Sequence, residues 1–300
     1  MTTGYHIPVM LPESIEALDI DGKGTYVDVT FGGGGHSKEI LKNITDGNLV
    51  VFDKDEDAKS NIIKDDRVHF VPHDFRYIKR YLRYINHFPV SGILADLGIS
   101  SHQIDTDDRG FAHRMDGVLD MRMDILSPLT AASVVNEYEE NKLSNVFYLY
   151  GELKNSRKIS KILCSYRRTK KIETVNQLKQ ILVGCSPKFE ENKFFSKVFQ
   201  ALRIEVNQEL EGLKELLQYG TDCLAPGGRF AVITYHSLED RIVKQFFNSG
   251  NLNNELIKDE YGRVLSSIKP KTKKPILPSA EEIDINPRSR SAKLRIGIKQ

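Results

Sequence analysis

The stretch Tyr26–Leu41, "YVDVTFGGGGHSKEIL", decides the fold: an alternating apolar run meets four consecutive glycines, Gly32 to Gly35, and a helical pattern follows at once. A backbone that bare between a strand and a helix lets the chain come close to a ligand at the carboxyl edge of a sheet, where doubly wound folds bind nucleotides. The dinucleotide spacing GxGxxG fails, because the position of its third glycine is taken by Ser37 or Lys38.

An acid-x-Gly-x-Gly-x-Gly spacing fits better, with Asp28 as the acid, Thr30 in place of the first glycine, and then Gly32 and Gly34. That pattern belongs to S-adenosylmethionine enzymes, whose cofactor carries no phosphate and needs closeness rather than an anion cradle. Outward from the loop, β-rich runs alternate with helical ones up to about residue 100, as in a parallel α/β sheet. The strands predicted are "TYVDVT" (25–30), "NLVVFD" (48–53), "RVHFV" (67–71) and "VSGILADLG" (90–98). Charge-dense, loop-like text follows, and then a helical stretch from about Thr130 to Asn207. The α/β pattern resumes with a leucine-faced helix ending at Pro226-Gly227-Gly228, a strand "RFAVITYH", a helix "SLEDRIVKQFF" and a closing edge strand "SAKLRIGIK". One doubly wound domain, residues 1–104 with 208–300, interrupted by a helical insertion over 105–207, is the economical reading.

Candidate residues fall at successive strand ends. Asp53 closes strand two, about twenty residues beyond the loop, where an acid can bind ribose hydroxyls. After strand three, Asp74 can accept from an adenine amine and Phe75 can lie against the ring. Asp96 closes strand four and can accept a hydrogen bond from an amine about to be methylated. Tyr235 and His236 close strand five, where a ring can stack on a base and an imidazole can move a proton. Asp96 is the first candidate acceptor and His236 the second, with Ser237 capping the following helix.

The 43 basic and 41 acidic residues leave a net charge of +2, but eight Lys or Arg against Glu152 alone lie between 151 and 171, and nine against three lie from 267 to 300. Two basic patches of this kind suit a phosphate backbone. Three cysteines without a CxxC pair suggest neither zinc nor a disulfide framework and suit a reduced, cytoplasmic setting. No apolar run approaches a membrane span, so no membrane partner is expected. In "DMRMD", Asp120 and Asp124 have oxygen-ligand character, yet their spacing equally suits a helix surface, so no metal is expected.

"HIPVMLPE", "DVTFGGGGHS", "LADLGISS", "DRGFAHRMDGVLDMRMD", "FQALRIEVNQEL", "LAPGGR", "YHSLEDRIVK" and "NPRSRSAKLRI" together resemble, in order and over nearly the full chain, the bacterial ribosomal RNA small-subunit methyltransferase H family, RsmH, formerly MraW. The resemblance implies a class I methyltransferase fold with an inserted helical substrate-recognition domain. It also implies methylation by S-adenosylmethionine of the N4 amine of a cytidine in the decoding region of small-subunit rRNA. Cofactor contacts carried over by motif are Gly34, Gly35, His36, Asp53, Phe75, Asp96 and Gln103. The partner expected is small-subunit rRNA within the assembled small ribosomal subunit, and a homodimer stays open. Two other readings stay open as well: an S-adenosylmethionine enzyme of another acceptor, DNA or protein, and a non-catalytic ribosome-assembly factor. Two blocks depart from the family's usual text, "NKFFSKV" before "FQALR" and "SSHQ" after "DLGI".

Overall fold

The computed structural model describes residues 7–99 and 109–300. The chain divides into two compact units, Met1–Gly98 with Leu210–Gln300, and Ile99–Glu209. Glu209, the last residue of the second unit, takes a two-pronged hold on Arg203, with 2.8 Å at each contact.

In the first unit the strands β1 Thr25–Asp28, β2 Asn48–Phe52, β3 Val68–Val71, β4 Val90–Asp96, β5 Leu224–Thr234, β6 Ile268–Pro270 and β7 Lys293–Lys299 form one sheet, in the order β3-β2-β1-β4-β5-β7-β6. The first five are parallel, and β7 runs antiparallel to both β5 and β6. Alternate residues serve opposite faces, as the two-residue repeat of a strand requires. Val50, Phe52, Ile93 and Ala95 enter one core, and Leu49, Val51 and Leu94 enter the other. Helix α3 (Ile78–Tyr84) joins the first core together with two helices of the chain's last third, α9 (Glu209–Cys223) and α10 (Ser237–Ser249). Helices α1 (Leu11–Leu18) and α2 (Gly35–Asn43) cover the second. With both faces covered, the parallel strands read as near-continuous apolar runs, which is why they were legible.

Two expectations fail here. The terminal strand is not an edge, because β6 pairs outside it through Lys269 and Pro270. β6 is three residues long and lies in polar, Lys- and Pro-containing text, too short to show a period. The leucine-faced helix stops at Cys223, and Leu224 already pairs with Val90, so Ala225–Gly228 loops out within the strand, with Gly227 at φ 81°.

The second unit holds α4 (Ala131–Glu137), α5 (Glu140–Leu149), α6 (Ser156–Tyr166), α7 (Val175–Leu182) and α8 (Glu191–Asn207), and its described residues include no strand. Its core contains Leu119, Val134, Phe147, Ile159, Leu163, Phe195 and Leu202. Thr130 with Ser133 and Thr174 with Gln177 form capping boxes that start α4 and α7. "DMRMD" is not helical: Met121 has φ 62°, and Asp120 grips Arg122 through contacts of 2.8 and 2.7 Å. The Arg122 guanidinium also donates to the carbonyls of Ile125 and Ser127, so the pair folds a loop.

Candidate active site

The strand order reverses between β1 and β4, and the crevice at such a switch point, beyond the carboxyl ends, is where open α/β sheets bind ligands. The glycine loop leaves β1 there, and Asp96 ends β4 beside it. Asp28 is buried at the root of the loop, its carboxylate accepting from the Thr30 amide at 3.1 Å and from the Ser37 hydroxyl at 2.6 Å. Thr30 Oγ1 in turn accepts the Asp96 amide proton at 2.7 Å. A glycine in Thr30's place would lack that hydroxyl, so the departure from the usual spacing stitches the two strands together at the crevice.

Within the loop, Gly32 and Gly34 take left-handed φ of 50° and 72°, a conformation that side chains resist. A Cβ on Gly35 would stand 2.2 Å from the Pro8 ring, whereas one on Gly33 would meet nothing within 4 Å. Two of the glycines are therefore needed for backbone shape, one for the passage of another segment, and Gly33 faces open space. Asp53 closes the loop from β2: one oxygen accepts the Gly32 amide and the other the Asp55 amide, both at 2.8 Å. Burial pushes the Asp53 carboxyl up to about 6, against the two amide bonds, which pull it down.

Asp96 stands among polar side chains drawn from two distant segments. Its Oδ1 accepts the Tyr235 hydroxyl at 2.7 Å, and its Oδ2 lies 3.8 Å from His36 Nδ1. Burial raises the Asp96 carboxyl to about 6, with His36 and then Tyr235 opposing the rise. Burial first, and then the adjacent Asp96 carboxylate, hold the Tyr235 phenol well above its ordinary value, so it stays the donor.

His36 Nε2 lies 3.0 Å from the Val9 carbonyl, which can only accept, so Nε2 carries the proton and Nδ1 faces Asp96. The same peptide unit donates the Met10 amide proton to Glu282 Oε1 at 2.7 Å. A carboxylate on one side of a peptide strengthens the acceptor on its other side, so Glu282, on α11 (Ala280–Ile285), acts through Val9–Met10 on the His36 ring. Sequence reading left Glu282, Val9 and the Thr30 hydroxyl without roles. Its one hint was "HIPVMLPE", a block quoted without a function.

His236, not Ser237, is the cap of α10: the Glu239 amide donates to its Nδ1 at 3.4 Å, and its Nε2 stands 3.2 Å from Glu239 Oε1. The buried Glu239 carboxylate also accepts the Tyr235 amide at 2.9 Å and the His236 amide at 3.3 Å. Nδ1 is thus held by the Glu239 amide, whereas the buried Nε2 makes no hydrogen bond among the described residues, and this capping box fixes where Tyr235 presents its hydroxyl.

Phe75 opens a short 3-10 turn and packs partly buried on the core under α3. Asp74 caps that turn through the Arg76 amide at 3.0 Å and pairs with Lys54 at 3.2 Å, so its oxygens are largely engaged. Gln103 lies outside the described residues. Of the eight cations between 151 and 171, Arg167 is internal, donating to the carbonyls of Val135 and Tyr138, whereas the other seven are exposed. In the C-terminal run, Lys293 and Arg295 pair with Asp240 at 3.3 and 2.7 Å, binding β7 to α10.

A seven-stranded sheet in this order with its antiparallel β7, and a glycine loop and strand-end acids at the switch point, define a class I S-adenosylmethionine-dependent methyltransferase fold. Residues 3–300 match the MraW methylase family, and the chain belongs to that family. A protein of Bacteroides fragilis strain YCH46 named ribosomal RNA small subunit methyltransferase H is 52% identical over 299 residues, covering 99% of this chain and 98% of that one. A protein of the same name from Flavobacterium johnsoniae is 50% identical over 300 residues, covering 99% of each. Among solved structures, a putative methyltransferase of Streptococcus mutans in complex with SAH aligns at a TM-score of 0.42 and 12% identity, over 98% of this chain and 99% of that one, too distant a likeness to carry weight.

Proposed function

We propose that this chain methylates the N4 amine of a cytidine in the decoding region of small-subunit rRNA, using S-adenosylmethionine. The observation that carries the reading is the Asp96 carboxylate, oriented by Tyr235 and adjacent to His36 at the switch-point crevice beside the glycine loop. The relatives at about half identity over the full chain support the rRNA acceptor.

The residues fit the cofactor. Gly33 leaves room for a close approach, Asp53 presents a carboxylate at the β2 end for ribose hydroxyls, and Phe75 offers a partly buried ring for adenine. Gly34, Gly35 and His36 shape the loop between them, and Gln103 completes the set by family resemblance. When bound, the cofactor supplies an electrophilic methyl group on a sulfonium.

A cytosine amine has its lone pair delocalised into the ring, so a hydrogen-bond acceptor that localises the pair makes it the better nucleophile. Asp96 is that acceptor: each of its oxygens has one neighbour, Tyr235 or His36, and a lone pair to spare. The Tyr235 hydroxyl holds the carboxylate in one orientation, which contributes through preorganisation, and the His36 ring lies 3.8 Å from its other oxygen. With its carboxyl near 6, Asp96 is ionised at neutral pH and can also take the proton the amine sheds. His236 serves as a positioning residue, since its Nδ1 caps α10 through the Glu239 amide and its own amide is held by the Glu239 carboxylate.

The seven exposed cations of the 151–171 run suit a role for residues 105–207 in holding rRNA phosphates while the target base is splayed out of its stack. The test is transfer of labelled methyl from S-adenosylmethionine to small subunits from cells lacking this protein, followed by nucleoside analysis. Label in N4-methylcytidine is the expected outcome. Absence of label, from a protein shown to bind the cofactor, would move the assignment to another acceptor.

A further inference from the structure

Far along the chain from the insertion's basic run, the segment "RYIKRYLRY", Arg76 to Tyr84, carries a second concentration of cations, interleaved with tyrosines. Its helical period is plain: Ile78 and Leu82 are fully buried against the sheet, Tyr81 packs partly buried on the same core, and Tyr77, Arg80, Arg83 and Tyr84 turn outward. With Tyr219 of α9 the outward residues line a groove of about 610 Å³. We propose that this groove is a second RNA-contact surface, which takes a single-stranded or looped segment of the rRNA substrate by its phosphates and unstacked bases. The proposal rests on the reading of the chain as an rRNA methyltransferase and extends the contact surface to its α/β unit.

Three features favour RNA over other occupants. Arg80 and Arg83 have no carboxylate partner among the described residues, so their charge is available to phosphate oxygens. Lys79 is paired with Asp222 at 2.6 Å, an exposed contact worth little and readily exchanged. The rings of Tyr77, Tyr84 and Tyr219 are 53%, 83% and 37% exposed, on the same groove as the cations. Solvent-facing rings beside free guanidinium groups offer stacking and charge together, the pairing that single-stranded nucleic acid uses. An acidic protein surface would call on the cations alone. Arg83 also lies 5.2 Å from the centre of the Phe88 ring, within cation–π range.

The test compares wild type, R80E/R83E and Tyr84→Ala, each checked for unchanged thermal unfolding and S-adenosylmethionine affinity. Two quantities are read: KM for small subunits in methyl transfer, and Kd for a naked rRNA fragment spanning the methylated nucleotide across a salt series. R80E/R83E is expected to raise both constants about tenfold and to reduce the logarithmic salt slope by about 1.4, the share of two phosphate contacts on a single strand, with kcat at saturating RNA unchanged. Tyr84→Ala is expected to weaken fragment binding about fivefold without changing the slope, because stacking releases no counterions. Unchanged KM, Kd and slope in both variants would overturn the proposal. So would a loss confined to intact subunits with the naked fragment unaffected, which would assign the groove to a ribosomal protein. A wild type that bound the fragment and methylated nothing would refute the catalytic reading alone, since the binding arm still reads the groove.

Discussion

The carboxyl edge of the α/β unit and the helical unit spend their polar side chains in opposite ways. At the edge, contacts among Asp96, Tyr235, His36, Thr30, the Val9–Met10 peptide and Glu282 join segments as much as 272 residues apart and are buried or half-buried. In the helical unit many polar contacts are local: Thr130 with Ser133, Thr174 with Gln177 and Asp120 with Arg122 cap helices or fold loops, and seven of the eight cations of the 151–171 run turn to solvent. Long-range polar contacts in a low-dielectric setting can fix a carboxylate's orientation and shift its proton affinity. Local caps define helices and leave the surface free. The edge is therefore suited to chemistry, and the helical unit to docking.

Asp96→Ala tests this division most severely. It should lower kcat for methyl transfer about a thousandfold, the upper range for losing one preorganised polar group at a reacting centre, with unfolding little changed. Near-normal turnover would place the chemistry elsewhere. Phe147→Ala should remove a buried ring from the helical core at a stability cost of about 3–5 kcal/mol, and calorimetry should show that S-adenosylmethionine still binds. A simultaneous loss of cofactor binding would mean that the two regions are not separable.

Tyr235→Phe leaves Asp96 Oδ1 without its donor and should cost about tenfold in kcat, while its ring keeps its place against the core. In wild type, kcat/KM should rise through about pH 6 as Asp96 ionises, and the phenylalanine variant should move that limb upward, because a bond that favoured the charged form is gone. Fold stability should run the other way over the same range. Asp53 and Asp96 are raised to about 6 by burial, so the folded state holds protons that the unfolded chain releases near pH 4, and stability falls as pH climbs between the two. A flat profile in both measurements would break the assignment of Asp96. Glu282→Gln should have a smaller effect, about threefold on kcat, since it weakens the polarisation of one peptide without removing a ligand of Asp96. The smallest effect is expected from K158E/K161E on α6, a roughly threefold rise in KM for subunits that disappears at high salt. A change in kcat there would blur the comparison.

How much could be read beforehand depended on the range of each interaction. The strands around the loop were legible because their apolar runs are continuous, and the strand ends marked Asp53, Asp96 and Tyr235 in order. Cap preferences favour Ser237 at the start of α10, but the structure gives that place to His236, whose Nδ1 is held by the Glu239 amide. "DMRMD" was read by helical spacing, but the Asp120–Arg122 pair closes a loop that spacing does not reveal.

The sequence by itself determined the α/β class, the glycine turn that follows β1 and the acids at the strand ends, because each rests on periodicity or conformational preference within a few residues. Only the tertiary structure decided that β7 lies inside the sheet, that Tyr235 rather than His236 holds Asp96, and that Glu282 reaches His36 through the Val9–Met10 peptide. Those are encounters between segments whose nearness is set by packing the whole unit, and hydrogen-bond partners so far apart leave no local pattern in the chain.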